Sequence, residues 1–417
     1  MLNKTNILLF STLPISIILG NFALNLNIII INLVMLFLCF KDNNWSWTKN
    51  IFFKILIIIY LYLIINSIFN YLIDKTNGLE GIYRSLGFIK FILLGFSFSI
   101  LVKTRENLEK ILLSWLILII IVTIDVFYEL FFGQNILGFT SLDGTRIISF
   151  FYDESVVGGF LLAFSLTTCT YFISKNYKNK KKILLNLLLF FIPLSIFVTG
   201  ERSNFLKCII LFSIIIFFIN SNYLIFDKKK FSFFLIFGII LAVFTNQNLY
   251  IKQTEFFKRI LVIENPEKFI DRFQNIKYFS HYDTAWNIFL DYPINGIGNK
   301  NFRKKCSEEK YFNSNLKFSS IRCTTHPHQI HFELLSEQGL IGYLLFFYFI
   351  IRFVMQNLKK NHSSKNIYIY TINFYLLIFL IPLLPGGSLF SSYNGSLFWI
   401  IFSLANFNND NLNKLSV

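Results

Sequence analysis

The sequence predicts an all-α polytopic membrane protein with about twelve transmembrane helices. Of its 417 residues, 54% are hydrophobic and only 15% are charged, which excludes a water-soluble globular protein of this length. Apolar runs long enough to cross a hydrocarbon core of roughly 30 Å recur along the whole chain. In chain order they cover residues 6–20, 22–40, 51–72, 87–102, 111–132, 155–174, 183–198, 204–225, 231–249, 329–351, 367–385 and 388–405.

Most of these runs are joined by short polar or basic segments, as expected for helices that cross the membrane in alternate directions. One connection is long: it extends from about residue 250 to residue 327, between the ninth and tenth runs. We therefore expect one integral membrane domain over residues 1–417, with residues 250–327 inserted as a large loop. Within that loop, His281–Leu290 predicts a short amphipathic helix that is followed by turn-forming residues.

The basic residues of the short loops predict the orientation through the positive-inside rule. An N-terminus in the cytoplasm places most of them there, puts the C-terminus on the same side, and sends residues 250–327 to the outer face. The alternate loops hold little more than Lys75, Arg84, Arg146 and Arg202. The loops assigned to the cytoplasm contain Lys41, Lys49, Lys103, Arg105, Lys110, Lys175, Lys178, Lys180, Lys181, Lys182, Lys228, Lys229, Lys230, Arg352, Lys359, Lys360 and Lys365.

The net charge of +16 does not indicate a nucleic-acid-binding protein. Most of the excess lies in the cytoplasmic loops, where it sets the topology. We expect membrane lipids to surround the chain and no nucleic acid to bind it.

The five cysteines divide between the membrane and the outer loop. Cys39, Cys169 and Cys208 fall within apolar runs and are interpreted as small core residues. Cys306 and Cys323 both fall in the outer loop, where an oxidising compartment favours a disulfide between them. Neither a CxxC spacing nor an HExxH motif occurs, so we predict no metal site.

Several ionisable residues lie at the outer ends of the predicted spans. A charge at the bilayer centre costs about 2.5–3.5 kcal/mol on insertion scales, so such residues normally face a cavity or one another. For Lys90 and Lys207, a side chain that extends outward to the interface is an equal alternative. Arg202 lies in a minimal turn and favours a functional role, because its forked donors suit phosphate oxygens. The set comprises Lys90, Asp125, Glu129, Asp153, Glu154, Glu201, Arg202 and Lys207.

Three histidines, His326, His328 and His331, lie where the outer loop becomes a span. A helix that starts near Pro327 would place His328 in its first turn, where free backbone N–H groups favour anions. Gly339 and Gly342 would then let another helix pack closely. The alternative is that a histidine at such a boundary is only an interfacial anchor.

These segments resemble the O-antigen ligase and O-antigen polymerase superfamily of bacterial envelopes. The resemblance covers roughly residues 125–345 and includes the segments at 131–160, 199–205, 285–303 and 326–342. The last segment, HPHQIHFELLSEQGLIG, matches the family's signature of a histidine, a polar residue and two spaced glycines. In this chain those positions are His328, Gln329, Gly339 and Gly342.

The resemblance implies a GT-C-like, metal-independent glycosyltransferase of the bacterial inner membrane that works on the periplasmic side without a cofactor. It would transfer a glycan from undecaprenyl pyrophosphate to lipid A-core if it is a ligase. A polymerase would instead join carrier-linked repeat units. A transporter or flippase of a lipid-linked sugar is the alternative from another class, although no inverted repeat is visible.

In the family, the signature histidine and the arginine of the turn before span eight are implicated in catalysis; they correspond to His328 and Arg202. Arg202 would stabilise the departing pyrophosphate, and His328 would be either the base toward the acceptor or, if protonated, a pyrophosphate donor. Glu154 is a rival base or a partner that orients Arg202. The family's outer-loop arginine is replaced here by Tyr282, with His281 beside it. The residues assigned to substrate binding are Arg146, Lys90, Lys207, His281, Arg303, His326, Gln329 and His331.

Overall fold

The computed structural model describes residues 2–75, 79–141, 146–152, 156–175, 179–219, 224, 228–245, 274–362 and 366–411. The regular secondary structure in these ranges is helical, which confirms the all-α prediction for this part of the chain. The α-helices are α1 (Leu2–Ser11), α2 (Leu13–Ile18), α3 (Asn21–Lys41), α4 (Ile51–Ile73), α5 (Glu80–Gly87), α6 (Ile89–Leu101), α7 (Arg105–Phe132), α8 (Val157–Ser174), α9 (Asn179–Val198), α10 (Arg202–Phe218), α11 (Lys228–Thr245), α12 (Lys277–Asp291), α13 (Phe302–Lys305), α14 (Ile330–Asn361), α15 (Ile367–Phe379) and α16 (Ser392–Asn411).

Within the described ranges, seven helical segments are long and apolar enough to cross a membrane: α3, α4, α5 with α6, α7, α8, α9 and α14. The chain is therefore a multi-pass membrane protein. The predicted total of about twelve spans stays a prediction, because the other apolar runs correspond to the shorter or less apolar helices α1–α2, α10, α11, α15 and α16.

Among the candidate spans, α8 is the most deeply buried, since 89% of its apolar window is buried. This helix packs against α7, α9, α10 and α15. The peripheral helices instead expose apolar side chains; Phe22 on α3 and Leu72 on α4 are 83% and 67% exposed. Large exposed apolar side chains around a buried centre are what a lipid environment requires.

One predicted span is shorter than expected. The apolar run at 367–385 continues as a helix only to Phe379, and residues 380–391 form an irregular connection to α16. This segment contains Pro382 and Pro385, which disfavour a continuing helix, followed by Gly386 and Gly387. We call residues 380–391 the PGG loop; it lies at the centre of the site described below.

Helix α14 is sharply kinked at Gly339, whose φ of 64° and ψ of −171° lie outside the helical region. A kink leaves backbone groups without their intrahelical partners. The outer-loop segment 293–298 supplies replacements by docking into the kink. The four backbone bonds are Ile297 N to Ser336 O (3.0 Å), Gly298 N to Glu337 O (2.8 Å), Leu340 N to Pro293 O (2.8 Å) and Ile341 N to Ile294 O (3.2 Å).

The two signature glycines therefore have different roles, and the expectation that both admit a neighbouring helix is half wrong. Gly342 does so: a Cβ there would lie 2.8 Å from Cε1 of Tyr62 on α4. Tyr62 Oη also donates to the Gln338 carbonyl at 2.6 Å. Gly339 instead admits the outer-loop backbone, because a Cβ there would overlap the Ile294 carbonyl.

Candidate active site

His328 does not lie in the first turn of a helix, contrary to the sequence prediction. Helix α14 begins at Ile330, and Gln329 is its N-cap. The Gln329 Oε1 atom accepts from the backbone N–H groups of His331 at 2.6 Å and Phe332 at 3.2 Å. Two of the free donors that were expected to bind an anion are thus satisfied by the protein itself. His328 precedes the cap with a φ of 57°.

The imidazole of His328 lies in a cluster of aromatic rings. Its ring centroid is 4.3 Å from that of His326, 5.4 Å from that of His281 and 5.5 Å from that of Tyr278. Burial, followed by the neighbouring His326 and His281, lowers the pKa of His328 to about 4. The imidazole is therefore neutral at physiological pH before substrate binds, as a general base requires.

The two other signature-segment histidines have different surroundings. His331 uses both ring nitrogens within the protein, with Nδ1 2.9 Å from Tyr343 Oη and Nε2 2.7 Å from the Leu380 carbonyl. It therefore tethers the PGG loop rather than presenting a free nitrogen to substrate. Burial also lowers the pKa of His326, whose Nδ1 lies 3.0 Å from Thr325 Oγ1.

His281 comes from helix α12, which is longer than the predicted His281–Leu290 segment and runs from Lys277 to Asp291. Its Nδ1 lies 2.9 Å from the Arg322 carbonyl. The next residue, Tyr282, stacks on Phe332 of α14 with the ring planes 17° apart. The helix thus brings His281 to His328 by packing against the start of α14.

The PGG loop joins the His328 segment to the turn before α10. The Gly386 N–H donates to the His328 carbonyl at 2.7 Å. The neighbouring Pro385 carbonyl accepts a hydrogen bond from the Ser203 hydroxyl. Ser203 follows Arg202, the first residue of α10. Two segments that are 126 positions apart in the sequence are therefore connected through one short loop.

The turn that carries Arg202 is held by a buried carboxylate, Glu201. Its Oε1 accepts from the Gly158 N–H at 2.5 Å, and its Oε2 accepts from Asn204 Nδ2 at 2.6 Å. Burial raises the pKa of Glu201 to about 7, while these hydrogen bonds and the nearby Arg146 oppose the shift. A sequence-based alternative gave Glu154 the role of orienting Arg202, but Glu154 lies outside the described residues.

A cavity of about 80 Å³ opens beneath this turn and the PGG loop. The Lys207 side chain, which is 6% exposed, points into it from α10. The cavity walls also include Gln329 of the signature. The other lining residues are Gly159, Leu162, Asn204, Ile330, Tyr375, Phe379, Ile381, Leu384, Pro385, Gly386, Gly387, Asn394 and Leu397.

Two of the residues that were assigned to substrate binding have partners elsewhere. Arg303 Nη1 lies 3.2 Å from Glu80 Oε1, at the start of α5. Lys90 Nζ donates to Asn25 Oδ1 on α3 at 2.6 Å. Arg146 is exposed, and its positive charge acts to lower the pKa of Glu201, so it lies near the turn that carries Arg202.

A buried charge network beside the histidines was missed in the sequence. Lys300 Nζ lies 3.1 Å from Glu333 Oε1, and the two side chains are 5% and 1% exposed. The Ser388 hydroxyl accepts from Lys300 Nζ and donates to Glu333 Oε1, which ties the PGG loop to both. Glu337 accepts from the N–H groups of Lys300 at 2.9 Å and Phe302 at 3.2 Å. The sequence feature that could have revealed this network is the pair Glu333 and Glu337, which lie one helical turn apart within an apolar span.

The outer loop is closed by a disulfide between Cys306 and Cys323, whose Cα atoms are 5.3 Å apart. Arg322 reinforces it, because its Nε donates to the Cys306 carbonyl at 2.9 Å. Within the described residues, no group of three or more His, Cys, Asp or Glu side chains is arranged to hold a metal ion.

Comparison with known proteins agrees with the motifs. Residues 186–347 match the model of a family described as O-antigen ligase. No curated protein matches the chain. The matched range includes Arg202, Lys207, the outer loop and the whole His328 signature, and it ends before the PGG loop. The resemblance to the O-antigen ligase and polymerase family is thereby confirmed over residues 186–347, which match the family's model.

Proposed function

We propose that this protein is an O-antigen ligase that transfers a glycan from undecaprenyl pyrophosphate to lipid A-core. The observation that carries the proposal is the PGG loop, which bonds to the His328 carbonyl at 2.7 Å and to Ser203 beside Arg202. A base and a permanent cation that are connected in this way suit a reaction in which an acceptor hydroxyl attacks a sugar pyrophosphate.

In the proposed reaction, the acceptor hydroxyl attacks the sugar carbon that bears the pyrophosphate. The new carbon–oxygen bond forms as the bond to the pyrophosphate breaks. His328, with its pKa lowered to about 4, accepts the hydroxyl proton. Arg202 stabilises the negative charge that develops on the departing pyrophosphate. The low pKa supports the role of base over that of a protonated donor.

We further propose that the reaction takes place on the periplasmic side of the inner membrane. The lysine-rich short loops support this orientation, since they assign the opposite ends of the spans to the cytoplasm. Twelve spans with residues 250–327 in the periplasm complete the proposed topology, with membrane lipids around it. The lipid-linked donor would reach the cavity from the outer leaflet.

The lipopolysaccharide of a deletion strain tests the function. If the protein is a ligase, long glycan chains will be missing from the core while carrier-linked polymer accumulates. A core that carries single repeat units would instead identify an O-antigen polymerase, the other activity in the family. Unchanged lipopolysaccharide would contradict both.

Variants that are returned to the deletion strain test the site. We expect His328→Ala and Arg202→Ala to insert normally but to abolish transfer. Arg202→Lys should rescue poorly, because an ammonium group lacks the forked donor geometry. Lys180→Ala, on the exposed start of α9, is the matched control and should transfer normally. If purified His328→Ala protein transferred glycan at the wild-type rate, His328 would be an interfacial anchor and not a catalytic residue.

A further inference from the structure

Lys207 is a buried cation without a counterion in the part of the chain that the structure describes. It lies on α10 and is 6% exposed. Its closest described cation–aromatic contact is with the Phe379 ring, 5.6 Å from Nζ to the centroid. No carboxylate pairs with it and no hydrogen-bond acceptor is within reach among the described residues, in contrast to the similarly buried Lys300.

An unpaired buried charge is costly, because the protein interior replaces its hydration poorly. In a membrane span such a residue normally faces a cavity or a binding pathway. Lys207 does so, since its side chain lines the cavity beneath the PGG loop. Extension to the interface, the alternative raised by the sequence, does not describe a side chain that is 6% exposed.

The cavity walls are suited to an anion. Among the described lining residues none is acidic, while Asn204 and Asn394 contribute amide groups. Gly386 brings the PGG-loop backbone close: a Cβ built there would lie 3.5 Å from Lys207 Nζ. The volume of about 80 Å³ is several times the roughly 10–15 Å³ that one water molecule needs, so the cavity has room for a phosphate group.

The position of Lys207 also indicates the kind of anion. It follows Arg202 by five residues on α10, which places it about 7.5 Å further along the helix, toward the membrane interior. The walls of the same cavity also include the apolar side chains of Leu162, Phe379 and Leu397. A phosphate that is attached to a hydrocarbon chain satisfies both the cation and the apolar walls, whereas a free phosphate satisfies only the cation.

We propose that Lys207 and the cavity that it lines form an inner anion subsite that binds the lipid-attached phosphate of a prenyl-linked donor. This inference rests on the proposed function and assigns the membrane-side phosphate to a subsite distinct from Arg202. Lys207 is thus a binding residue that fixes the depth at which the donor lies.

Binding of farnesyl pyrophosphate to purified protein in detergent tests the subsite without requiring glycan transfer. We expect Lys207→Met to weaken binding at least tenfold, Lys207→Arg to retain more of it, and Lys180→Met to bind as the wild type does. Wild-type affinity in Lys207→Met would overturn the proposal. Equal wild-type affinity for inorganic pyrophosphate would overturn the assignment to a lipid-attached phosphate.

Thermal unfolding without ligand provides the second measurement. Because Lys207→Met removes an uncompensated buried charge, its unfolding midpoint should equal or exceed that of the wild type, while the upward shift caused by farnesyl pyrophosphate should be lost. A variant that unfolds at lower temperature or fails to fold would contradict the description of Lys207 as unpaired. Failure of the wild type to transfer glycan would overturn the proposed function and leave these binding results unaffected.

Discussion

The kink at Gly339 makes a specific prediction about Gly339→Ala. The glycine has a φ of 64° and a ψ of −171°, a combination that is essentially restricted to glycine. Holding alanine there costs on the order of 1–3 kcal/mol in backbone strain alone. The added Cβ would also lie 2.5 Å from the Asn295 nitrogen and overlap the Ile294 carbonyl. These are backbone atoms of a docked segment, so they cannot rotate away.

The substitution should therefore undock segment 293–298 from α14. Docking provides four backbone hydrogen bonds, each with a net contribution of about 0.5–1.5 kcal/mol. Strain and partial loss of these bonds together give an expected destabilisation of about 3 kcal/mol or more. Gly87→Ala is the matched control, since a Cβ there meets nothing within 4 Å. It should leave stability unchanged or raise it by about 0.4–1 kcal/mol.

Hydrogen–deuterium exchange of the purified protein measures the undocking directly. The amides of Ile297 and Gly298, which donate to α14 carbonyls, should exchange much faster in Gly339→Ala than in the wild type or in Gly87→Ala. Denaturant unfolding should show the matching loss of stability. Unchanged protection of both amides in Gly339→Ala would refute the docked kink as the reason for the glycine.

Three further predictions concern the site and its supports. Lys300→Met should destabilise the protein by about 3–5 kcal/mol, because it leaves the Glu333 carboxylate buried without its cation. In a double-mutant cycle measured by denaturant unfolding, adding Glu333→Gln should restore much of that loss. If the two substitutions instead changed the free energy of unfolding additively, the ion pair would be contradicted. In native membranes without reductant, Cys306 and Cys323 should resist alkylation. If an alkylating reagent labelled both thiols freely, the disulfide would be contradicted. The pKa of His328 is lowered to about 4, and a general base must be unprotonated. The kcat/KM for transfer should therefore stay nearly constant from pH 7 to 5 and fall to half near pH 4. A half-point near pH 6.5, or a rise in kcat/KM on acidification, would contradict a neutral base.

The helical membrane class was determined by the sequence alone. Hydropathy and turn chemistry act over short stretches of chain, so the long apolar runs predicted helices such as α3, α4 and α7 without knowledge of their neighbours. The same local pattern predicted a span over residues 367–385 that is too long, because the helix ends at Phe379, before Pro382 and Pro385. The motifs also predicted the resemblance to the O-antigen ligase family, because residue type and spacing can be read directly from the sequence.

The tertiary structure decided how those motifs meet. Only packing shows that the 293–298 segment fills the kink at Gly339, that Lys300 pairs with Glu333, and that the PGG loop connects His328 to the turn of Arg202. Each of these contacts joins residues far apart in the chain, and neither periodicity nor composition carries information about which distant segments touch. The PGG loop was overlooked for this reason: locally it resembles the end of an apolar span, and its importance comes from the segments that it joins.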